Sequence, residues 1–522
     1  MVTEEFTVDP ETPGWVVRVT MPPPSLQDNS ADADRLSRAL MRAFAAERIH
    51  IDLDLRKQLP GLLREGNHAL RCIVLKDQGC AVLVHAVPDA VAVILGGLAV
   101  DLGTTRVVLR LVDLERRRVL AETAFDNPQT AIGPDVLARI HHADQPDGLA
   151  QLQEMIVTAL NRHAQTLCRT QGLTPENLHV VSVAGNTAMS HLLAGLPVHW
   201  MIREPYIPAT NRFDLFPAAQ IGLKCHPQAQ VLLFPNVGSY FGGDLIAGIL
   251  YSGLHRRAET ALLVDVGTNA EVVLGNREWL IACAGAAGPA LEGGVTRMGT
   301  TAAPGVIDRV RIDPRTRAFD IHTIDDLPPR GICGSGVIDL AAQLFTAGMI
   351  DIRGKFVPTA CGDRLTVKDG LASLTIVPAE SAAENRSLSI SQADMDSLVR
   401  SKAAMYTILE TLTCSMGIPL DELPAFYVAG TFGSYIDPRS AITIGMLPDL
   451  PLAHFKSMGN TSLGGATLAL LTREAVTDID AIRNGITYLE LNVNQDFMNR
   501  FSAAKFIPHT DPARFPSVKL PE

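Results

Sequence analysis

The residues best suited to chemistry are two aspartates in the same setting, because the chain contains one pattern twice. The copies read Leu98-Ala99-Val100-Asp101-Leu102-Gly103-Thr104-Thr105 and Leu262-Leu263-Val264-Asp265-Val266-Gly267-Thr268-Asn269. In each copy the glycine lets the backbone approach an anion, and the N–H and hydroxyl groups beside it can donate to phosphate oxygens. The aspartate can hold Mg²⁺ through water, because this ion keeps much of its hydration. The pattern therefore predicts a site for phosphate and magnesium.

The residues around each copy predict a strand, a glycine turn and a second strand. Val107-Val108-Leu109 follows the first copy, and Glu271-Val272-Val273-Leu274 follows the second. This order predicts a β-hairpin, whereas a P-loop would lead into a helix and carry Gly-Lys-Ser/Thr. A single Asp-x-Gly-Thr is also typical of a plain β-turn. Two copies in matching contexts favour two related half-domains that close on one nucleotide.

Composition and charge restrict the classes of protein. A chain of 522 residues, 47% hydrophobic and 19% charged, implies roughly two to four folded domains. The net charge of −11 and pI near 5.7 argue against nucleic acid as the main partner. The longest apolar run, residues 90–100, is too short to cross a bilayer, and the acidic N-terminus lacks an apolar signal region. We therefore expect a cytoplasmic protein without a membrane partner.

The cysteines are scattered single residues. There are eight, at positions 72, 80, 168, 225, 283, 333, 361 and 414. No pair has the spacing of Cys-x-x-Cys or of a plant-type ferredoxin. Isolated cysteines are usually small core hydrophobes. The expectation is that this chain carries no iron–sulfur cluster.

The order of predicted elements suggests three domains. Residues 1–95 predict a small N-terminal α/β domain without a catalytic cluster. The first half-domain covers residues 96–259, and the second covers 260–522, with short strands and turns of residues 351–390 inserted on its surface. Such alternation of strands and helices is typical of an α/β fold.

Glycine turns mark further candidate sites. Gly185-Asn186-Thr187 joins a buried strand to a helix, as site-forming junctions in α/β sheets do. Asp244 lies in the first turn of a helix predicted over residues 243–254, where it is either a magnesium or catalytic carboxylate or only a response to the helix dipole. Gly331-Ile332-Cys333-Gly334-Ser335-Gly336 opens another helix. Gly430-Thr431-Phe432-Gly433 follows a third buried strand, where an adenine or ribose could rest.

The combined motifs resemble a known family. The two hairpins and the later glycine-bounded strand resemble the sugar kinase, Hsp70 and actin superfamily. Longer motifs are similar to those of the reductive activators of corrinoid proteins, and the N-terminal Pro24-Ser25-Leu26-Gln27-Asp28 resembles that family's middle domain. The longer motifs are Gly185-Asn186-Thr187-Ala188-Met189-Ser190-His191-Leu192-Leu193, Ala287-Gly288-Pro289-Ala290-Leu291-Glu292-Gly293, Gly331-Ile332-Cys333-Gly334-Ser335-Gly336 and Gly459-Asn460-Thr461-Ser462-Leu463-Gly464-Gly465-Ala466.

The resemblance implies a fold and a function. The fold would be α/β, with two ribonuclease-H-like half-domains around a nucleotide cleft, plus the small N-terminal α/β domain. The function would be ATP-dependent return of an inactivated Co(II) corrinoid protein to Co(I), in the service of a methyltransferase. Asp101 and Asp265 would hold Mg²⁺, with Asp244 as a third catalytic candidate. The nucleotide-binding residues would be Gly103, Thr104, Thr105, Gly267, Thr268, Asn269, Gly334, Ser335, Gly430 and Gly433.

The chain departs from this family's usual pattern in its source of electrons. Members usually receive the electron through an iron–sulfur domain, and no cluster motif exists here. Either the chain is a fragment that begins after that domain, or it borrows electrons from an external ferredoxin-like donor. The expected partners are then that donor, a corrinoid protein and a second copy of the chain in a homodimer. Two smaller departures, at Thr431 and at residues 294–297, bear on ligand contacts there.

Two other functions use the same superfamily fold. A small-molecule kinase would need a carboxylate base beside a substrate hydroxyl, and no stretch of the sequence points to sugar binding. A nucleotide-gated binding module would need no catalysis at all. An Asp-x-His-x-x-Gly run that ligates cobalamin is not present. We therefore expect the corrinoid to reside on the partner.

Overall fold

The computed structural model describes residues 12–77, 79–267, 270–285, 296–433, 435–489 and 495–520. These residues pack as two compact units. The first unit consists of Met1–Tyr251 together with Thr461–Asn484, and the second consists of Ser252–Asn460 together with Gly485–Glu522. None of the described helices combines the length and apolar character that a membrane span needs.

The N-terminal part of the first unit is a four-stranded sheet with two helices. Its strands have the order β1-β3-β4-β2. The elements are β1 (Val16–Thr20), α1 (Asp32–Phe44), β2 (Arg48–Ile51), α2 (Leu53–Glu65), β3 (Ala69–Asp77) and β4 (Cys80–Pro88). Apolar residues at helical spacing on α1, among them Leu36 and Leu40, are fully buried.

The central sheet of the first unit has the order β7-β6-β5-β8-β10-β9. Strands β5, β6 and β7 are antiparallel neighbours, β8 is parallel to β5, and β10 is parallel to β8. The elements are β5 (Gly96–Leu102), β6 (Arg106–Asp113), β7 (Arg118–Asp126), α3 (Val136–Ala143), α4 (Gly148–Thr170), β8 (Leu178–Gly185), α5 (Thr187–Ala194), β9 (Phe216–Pro217), β10 (Gln230–Leu233) and α6 (Gly243–Ser252).

The largest sheet of the second unit has the order β21-β20-β11-β12-β13-β22. The strands that follow in the chain are β11 (Ala261–Val266), β12 (Ala270–Gly275), β13 (Leu280–Gly285), β14 (Val306–Ile312), β15 (Phe319–Thr323), β16 (Gly331–Ile332), β17 (Leu365–Lys368), β18 (Leu371–Val377), β19 (Leu388–Ser391), β20 (Phe426–Ala429), β21 (Phe455–Gly459) and β22 (Ile486–Tyr488). The helices that follow in the chain are α7 (Gly334–Thr346), α8 (Pro358–Cys361), α9 (Gln392–Ser415), α10 (Gly430–Gly433), α11 (Pro438–Thr443), α12 (Thr461–Leu471), α13 (Arg473–Gly485) and α14 (Gln495–Ala504). Of these, α12 and almost all of α13 belong to the first unit.

The two large sheets share one arrangement. In the second, β11, β12 and β13 are antiparallel neighbours, β20 is parallel to β11, and β21 is parallel to β20. Three antiparallel strands followed by two parallel ones is the ribonuclease-H-like order. The predicted fold class, with two related halves and a small N-terminal α/β domain, is therefore confirmed.

One helix lies elsewhere than the sequence suggested. The motif 459–466 falls within the predicted second half-domain, 260–522, but α12, which contains most of it, packs on β5 and β8 of the first unit. Two glycines permit this, because a Cβ on Gly464 would lie 2.6 Å from the Tyr251 ring and one on Gly465 would collide with the backbone of Ala247. Both neighbours belong to α6. The domain boundaries at residues 95 and 259 remain predictions.

The segment 351–390 was predicted as a surface insertion of short strands. It does form β17, β18 and part of β19, which pair as one sheet. However, Leu374 and Ile376, which alternate on β18, are buried in the core of the second unit together with Ile390. The segment is therefore part of that core, because β18 and β19 pack on the long helix α9.

Candidate functional site

The first hairpin, formed by β5, β6 and the loop 103–105, is as tight as its glycine predicts. Leu102 lies opposite Val107, so the chain reverses within the residues that separate them. A Cβ on Gly103 would collide with the carbonyl oxygen of Arg106. Only glycine fits this turn, and the predicted hairpin is confirmed.

Two side chains fix the direction of the loop's peptide groups. Asn127 Nδ2 donates to the carbonyl oxygen of Gly103 at 2.9 Å, and Arg139 Nη2 donates to that of Thr104 at 2.6 Å. In a trans peptide the carbonyl and the following N–H point in opposite directions. The N–H groups of Thr104 and Thr105 therefore point away from these two donors. This arrangement fits a phosphate group, because its negatively charged oxygens accept hydrogen bonds from N–H groups and are repelled by carbonyl oxygens.

Arg139 is the most unexpected member of the first site. It lies on α3, is fully buried, and also donates to the Gly133 carbonyl at 3.0 Å and to Gln129 Oε1 at 3.2 Å. Burial lowers the pKa of its guanidinium to about 10, and the charge of Asp135 opposes this shift. Sequence reasoning missed both Arg139 and Asn127. No local pattern marks an arginine that reaches a loop 35 residues earlier.

The junction after β8 adjoins the first hairpin. Asp101 lies opposite Ala184 and Leu102 opposite Gly185 in the parallel pair β5–β8. The next residue, Asn186, caps α5 by accepting from the N–H of Met189 at 2.9 Å. Its Nδ2 donates to Thr104 Oγ1 at 3.0 Å. The predicted site-forming junction thus contacts a predicted phosphate donor.

Asp244, at the start of α6, lies close to the junction after β8. A Cβ on Gly242 would collide with Asn186 and lie 2.7 Å from Asp244 Oδ1, so Asp244 and Asn186 are close neighbours. Burial raises the pKa of Asp244 to about 6. The charge of Asp101 adds to this rise, while the N–H of Leu245, 2.9 Å from Oδ1, opposes it. The structure therefore brings Asp101 and Asp244 within electrostatic reach of each other.

The second hairpin is formed by β11 and β12. Asp265 lies opposite Glu271, and Val266 lies opposite Ala270. Gly267 is partly buried at the start of the turn. Of the predicted phosphate donors, Thr268 and Asn269 lie outside the described residues, as does the glycine- and alanine-rich stretch 286–295.

The glycine after β20 packs directly against the second carboxylate. Asp265 lies opposite Ala429 in the parallel pair β11–β20, and Gly430 comes next with φ +84°. A Cβ there would lie 2.8 Å from Asp265 Oδ1 and 2.9 Å from the Val266 carbonyl oxygen. The predicted residue Gly430 thus adjoins Asp265. The predicted Gly433 has a different contact, because a Cβ there would lie 2.5 Å from Val428 Cγ1.

A second repeat explains why the two sites correspond. Val183-Ala184-Gly185 ends β8 and Val428-Ala429-Gly430 spans the end of β20. In each unit the alanine of this repeat lies opposite the aspartate of the hairpin. The sequence analysis did not use this repeat, although it is visible in the sequence.

Gly334 and Ser335 form the N-terminal turn of α7, next to a different sheet. Cys333 Sγ lies 3.2 Å from Ser335 Oγ, and a Cβ on Gly336 would lie 2.5 Å from the Ile307 carbonyl oxygen on β14. The N–H groups of such a turn suit an anion. The contacts described for this turn are with β14, in the three-stranded sheet β15-β14-β16.

Comparison with known proteins places the chain first in a superfamily and then in a family. Residues 259–519 match the model described as the C-terminal domain of RACo, the ASKHA domain. Residues 96–257 match the RACo middle region, and residues 2–90 match the RACo linker region. The C-terminal part is thus an ASKHA domain. The chain belongs to the RACo family, which confirms the predicted resemblance. The likeness of residues 24–28 to the family's middle domain was wrong, because the N-terminal residues match the linker region instead.

Individual relatives agree with this assignment. The chain is 30% identical, over 78% of its length and 69% of the relative's, to the corrinoid activation enzyme RamQ of Eubacterium limosum. It is 26% identical, over 77% of its length and 75% of the relative's, to the [Co(II) methylated amine-specific corrinoid protein] reductase of Methanosarcina barkeri. A solved structure of a reductive activator for corrinoid, iron–sulfur protein matches with a TM-score of 0.87 and 37% identity, over 98% of this chain and 82% of that one.

Proposed function

We propose that this chain uses ATP to drive the reduction of an inactive Co(II) corrinoid protein to its Co(I) state, in the service of a methyltransferase system. The observation that carries the proposal is the 30% identity to a corrinoid activation enzyme over 78% of the chain. The solved reductive activator, which matches over 98% of the chain, supports the same activity. A nucleotide-gated regulator without a reduction partner would not account for this likeness.

The proposed phosphate donors are backbone N–H groups and hydroxyls of the hairpins. On the first hairpin these are Gly103, Thr104 and Thr105. Support comes from the two side-chain bonds that turn the loop carbonyls away, at 2.9 and 2.6 Å. On the second hairpin they are Gly267, Thr268 and Asn269. Gly430 and Gly433 are proposed to contact the nucleoside, and Gly334 and Ser335 to offer further donors at the start of α7.

The proposed magnesium ligands are Asp101 and Asp265, acting through water, with Asp244 beside the first. Three carboxylates are the hard oxygen donors that Mg²⁺ prefers. The pKa of Asp244, about 6, fits a residue that shares a proton or a cation with Asp101. In this proposal Asp244 orients or deprotonates the water that attacks the terminal phosphate. Bound Mg-ATP supplies the free energy of nucleotide binding and hydrolysis.

The proposed coupling is conformational. Nucleotide can promote reduction only by as much as it favours the conformation that binds the reducible Co(II) partner. The coupling is reciprocal in binding free energy, so the partner must also change the affinity for nucleotide. One electron then converts Co(II) to Co(I). We propose that it comes from a ferredoxin-like protein, because no cysteine pair has cluster spacing. We also propose that the chain acts as a homodimer.

The experiment combines the full chain with the corrinoid protein of its own cell. We expect the Co(II) partner to raise the slow ATP turnover, whereas sugars and other hydroxylated metabolites leave it unchanged. Formation of Co(I), followed by its visible absorption, should require ATP, the chain and a reduced ferredoxin together. Asp265→Ala should abolish the effect, and Asp214→Ala, whose side chain is 83% exposed on the first unit, should retain it.

Two outcomes would redirect the proposal. Phosphorylation of a small metabolite without any response to corrinoid proteins would establish the kinase alternative. Co(I) formation without added ferredoxin, together with stoichiometric iron and sulfide in anaerobically prepared protein, would show that this chain does hold a cluster. Sedimentation at several concentrations tests the homodimer, which a purely monomeric species would exclude.

A further inference from the structure

Three histidines from distant parts of the chain meet inside the first unit. His85 lies on β4 of the N-terminal sheet, His179 on β8 of the central sheet, and His226 in the turn before β10. One ring nitrogen of each lies within 4.8 Å of the others. The ring centroids are 4.3, 4.5 and 4.7 Å apart. None of these residues belongs to the hairpins or junctions assigned above to nucleotide.

The cluster contains polar atoms that the protein leaves without partners. Nδ1 of His85 and Nδ1 of His179 are buried and have no hydrogen-bond partner. The His179 ring as a whole is only 2% exposed. Nδ1 of His226 accepts a long bond, 3.2 Å, from the N–H of Gln228. Buried polar groups are normally paired, so buried imidazole nitrogens without a partner need an explanation.

We propose that His85, His179 and His226 form a binding site for one divalent first-row transition-metal ion, with Zn²⁺ as its representative. Three neutral nitrogen ligands without thiolates suit this class of ion, and they suit Mg²⁺ poorly. Zn–N bonds of 2.0–2.1 Å at tetrahedral angles place ligand nitrogens about 3.4 Å apart. The nitrogens must therefore approach one another by roughly 1 Å. The partly buried His85 must also rotate out of its stack with His179, in which the ring planes lie 19° apart. At His226 the ion uses Nε2 or replaces the long bond from Gln228.

The protonation state of the cluster agrees with this use. Burial lowers the pKa of His85 to about 4 and that of His179 to about 2, and the neighbouring imidazoles add to both shifts. Burial also lowers the pKa of His226, although Glu176 opposes it. At neutral pH all three rings are thus uncharged, which is the form that ligates metals. Cys225, next in the chain to His226, interacts with Cys168, and burial raises its thiol pKa to about 12.

The position of the site gives it a structural consequence. The backbone N–H of His226 donates to the Leu178 carbonyl at 2.9 Å, which holds the turn beside β8. His85 comes from a different sheet. A bound ion would therefore link the N-terminal sheet to the central sheet of the same unit. Because an ion that binds only the folded state stabilises it, the thermal midpoint of unfolding should rise with metal concentration.

The test uses the full chain, stripped with a chelator and titrated calorimetrically with Zn²⁺. We expect one equivalent to bind and the midpoint of unfolding to rise. His85→Gln and His226→Gln should each weaken Zn²⁺ binding by about 100-fold. Loss of an outer-shell partner costs up to about that much, and these histidines are proposed as direct ligands. His141→Gln, an exposed histidine on α3, is the matched control and should bind as the parent does. Mg-ATP binding should survive in all three variants.

A spectroscopic measurement keeps the proposal testable if a variant fails to fold. X-ray absorption of the zinc-loaded parent protein should show three imidazole nitrogens and no sulfur in the first shell. Absence of tight binding, binding that persists in both cluster variants, or a sulfur-containing shell would each overturn the site. The histidines would then be a stack of neutral core imidazoles.

Discussion

The two Asp-x-Gly-Thr hairpins share a sequence pattern and a position in their sheets, but the contacts described at each are of different kinds. Asn127, Arg139 and Asn186 hold the first loop through side-chain hydrogen bonds. Beside the second hairpin, the backbone of Gly430 packs closely against the Asp265 carboxylate. Among the described contacts, polar side chains thus mark the first site and a close backbone approach marks the second. The first arrangement should be sensitive to lost donors and the second to an added carbon.

The largest effect is expected from an added carbon beside the second hairpin. Gly430→Ala places a Cβ 2.8 Å from Asp265 Oδ1 on a backbone with φ +84°. The strain and the collision together should lower the free energy of unfolding by roughly 3 kcal/mol. Gly185→Ala, the equivalent change in the first unit, meets Leu102 only at 3.0 Å and should cost about 1–2 kcal/mol. Denaturant titration of both variants decides whether the two glycines differ; equal losses would contradict the comparison.

Next in size is the loss of the buried donor behind the first hairpin. Arg139→Met keeps the volume but leaves the carbonyls of Thr104 and Gly133 without their partner. We expect a loss of about 2–3 kcal/mol in unfolding free energy, because unsatisfied buried acceptors are costly. Mg-ATP affinity should fall too, since the loop carbonyl is released. Arg162→Met, on the exposed side of α4, is the control. If the free energy of unfolding did not change, the cost of burying the Arg139 charge would equal the stabilisation from its hydrogen bonds, and the prediction would be wrong.

The carboxylates themselves provide the third test. Asp265→Ala and Asp101→Ala should each weaken Mg-ATP binding by roughly 10–100-fold, as the loss of an outer-shell partner of a metal does. Similar losses in both would mean that the hairpins contribute equally to nucleotide binding. Calorimetry measures the affinities, with Asp214→Ala as the exposed control. If either variant binds as the parent does, that aspartate is no magnesium ligand.

The smallest effect concerns pH and distinguishes the first hairpin. The pKa of Asp244 is raised to about 6 in the folded protein, above the value of an exposed carboxyl. Its contribution to stability is thus fully present below about pH 4 and is lost as pH rises through about 6. Asp244→Asn mimics the protonated form, so it should stabilise the protein at pH 7.5. The difference should vanish near pH 4, and thermal unfolding across this range measures it. A constant difference would point to a cause other than titration.

The sequence by itself determined the local elements of both sites. Short-range spacing predicted the two hairpins, the strand that precedes Gly430 and the helix that begins near Asp244. Such patterns suffice because a turn needs glycine where its backbone is crowded, and a strand or helix shows its buried face in its own periodicity. The family resemblance followed from the same local motifs.

Only the tertiary structure decided which distant residues support those elements. Arg139 reaches Thr104, α12 packs on the first unit rather than the second, and β18 enters the core. The three histidines of the proposed metal site are likewise far apart in the chain. Periodicity reports that a residue is buried but not against which partner. That choice depends on strand order and on how closely two backbones can approach, as Gly464 and Gly465 permit for α12 and α6.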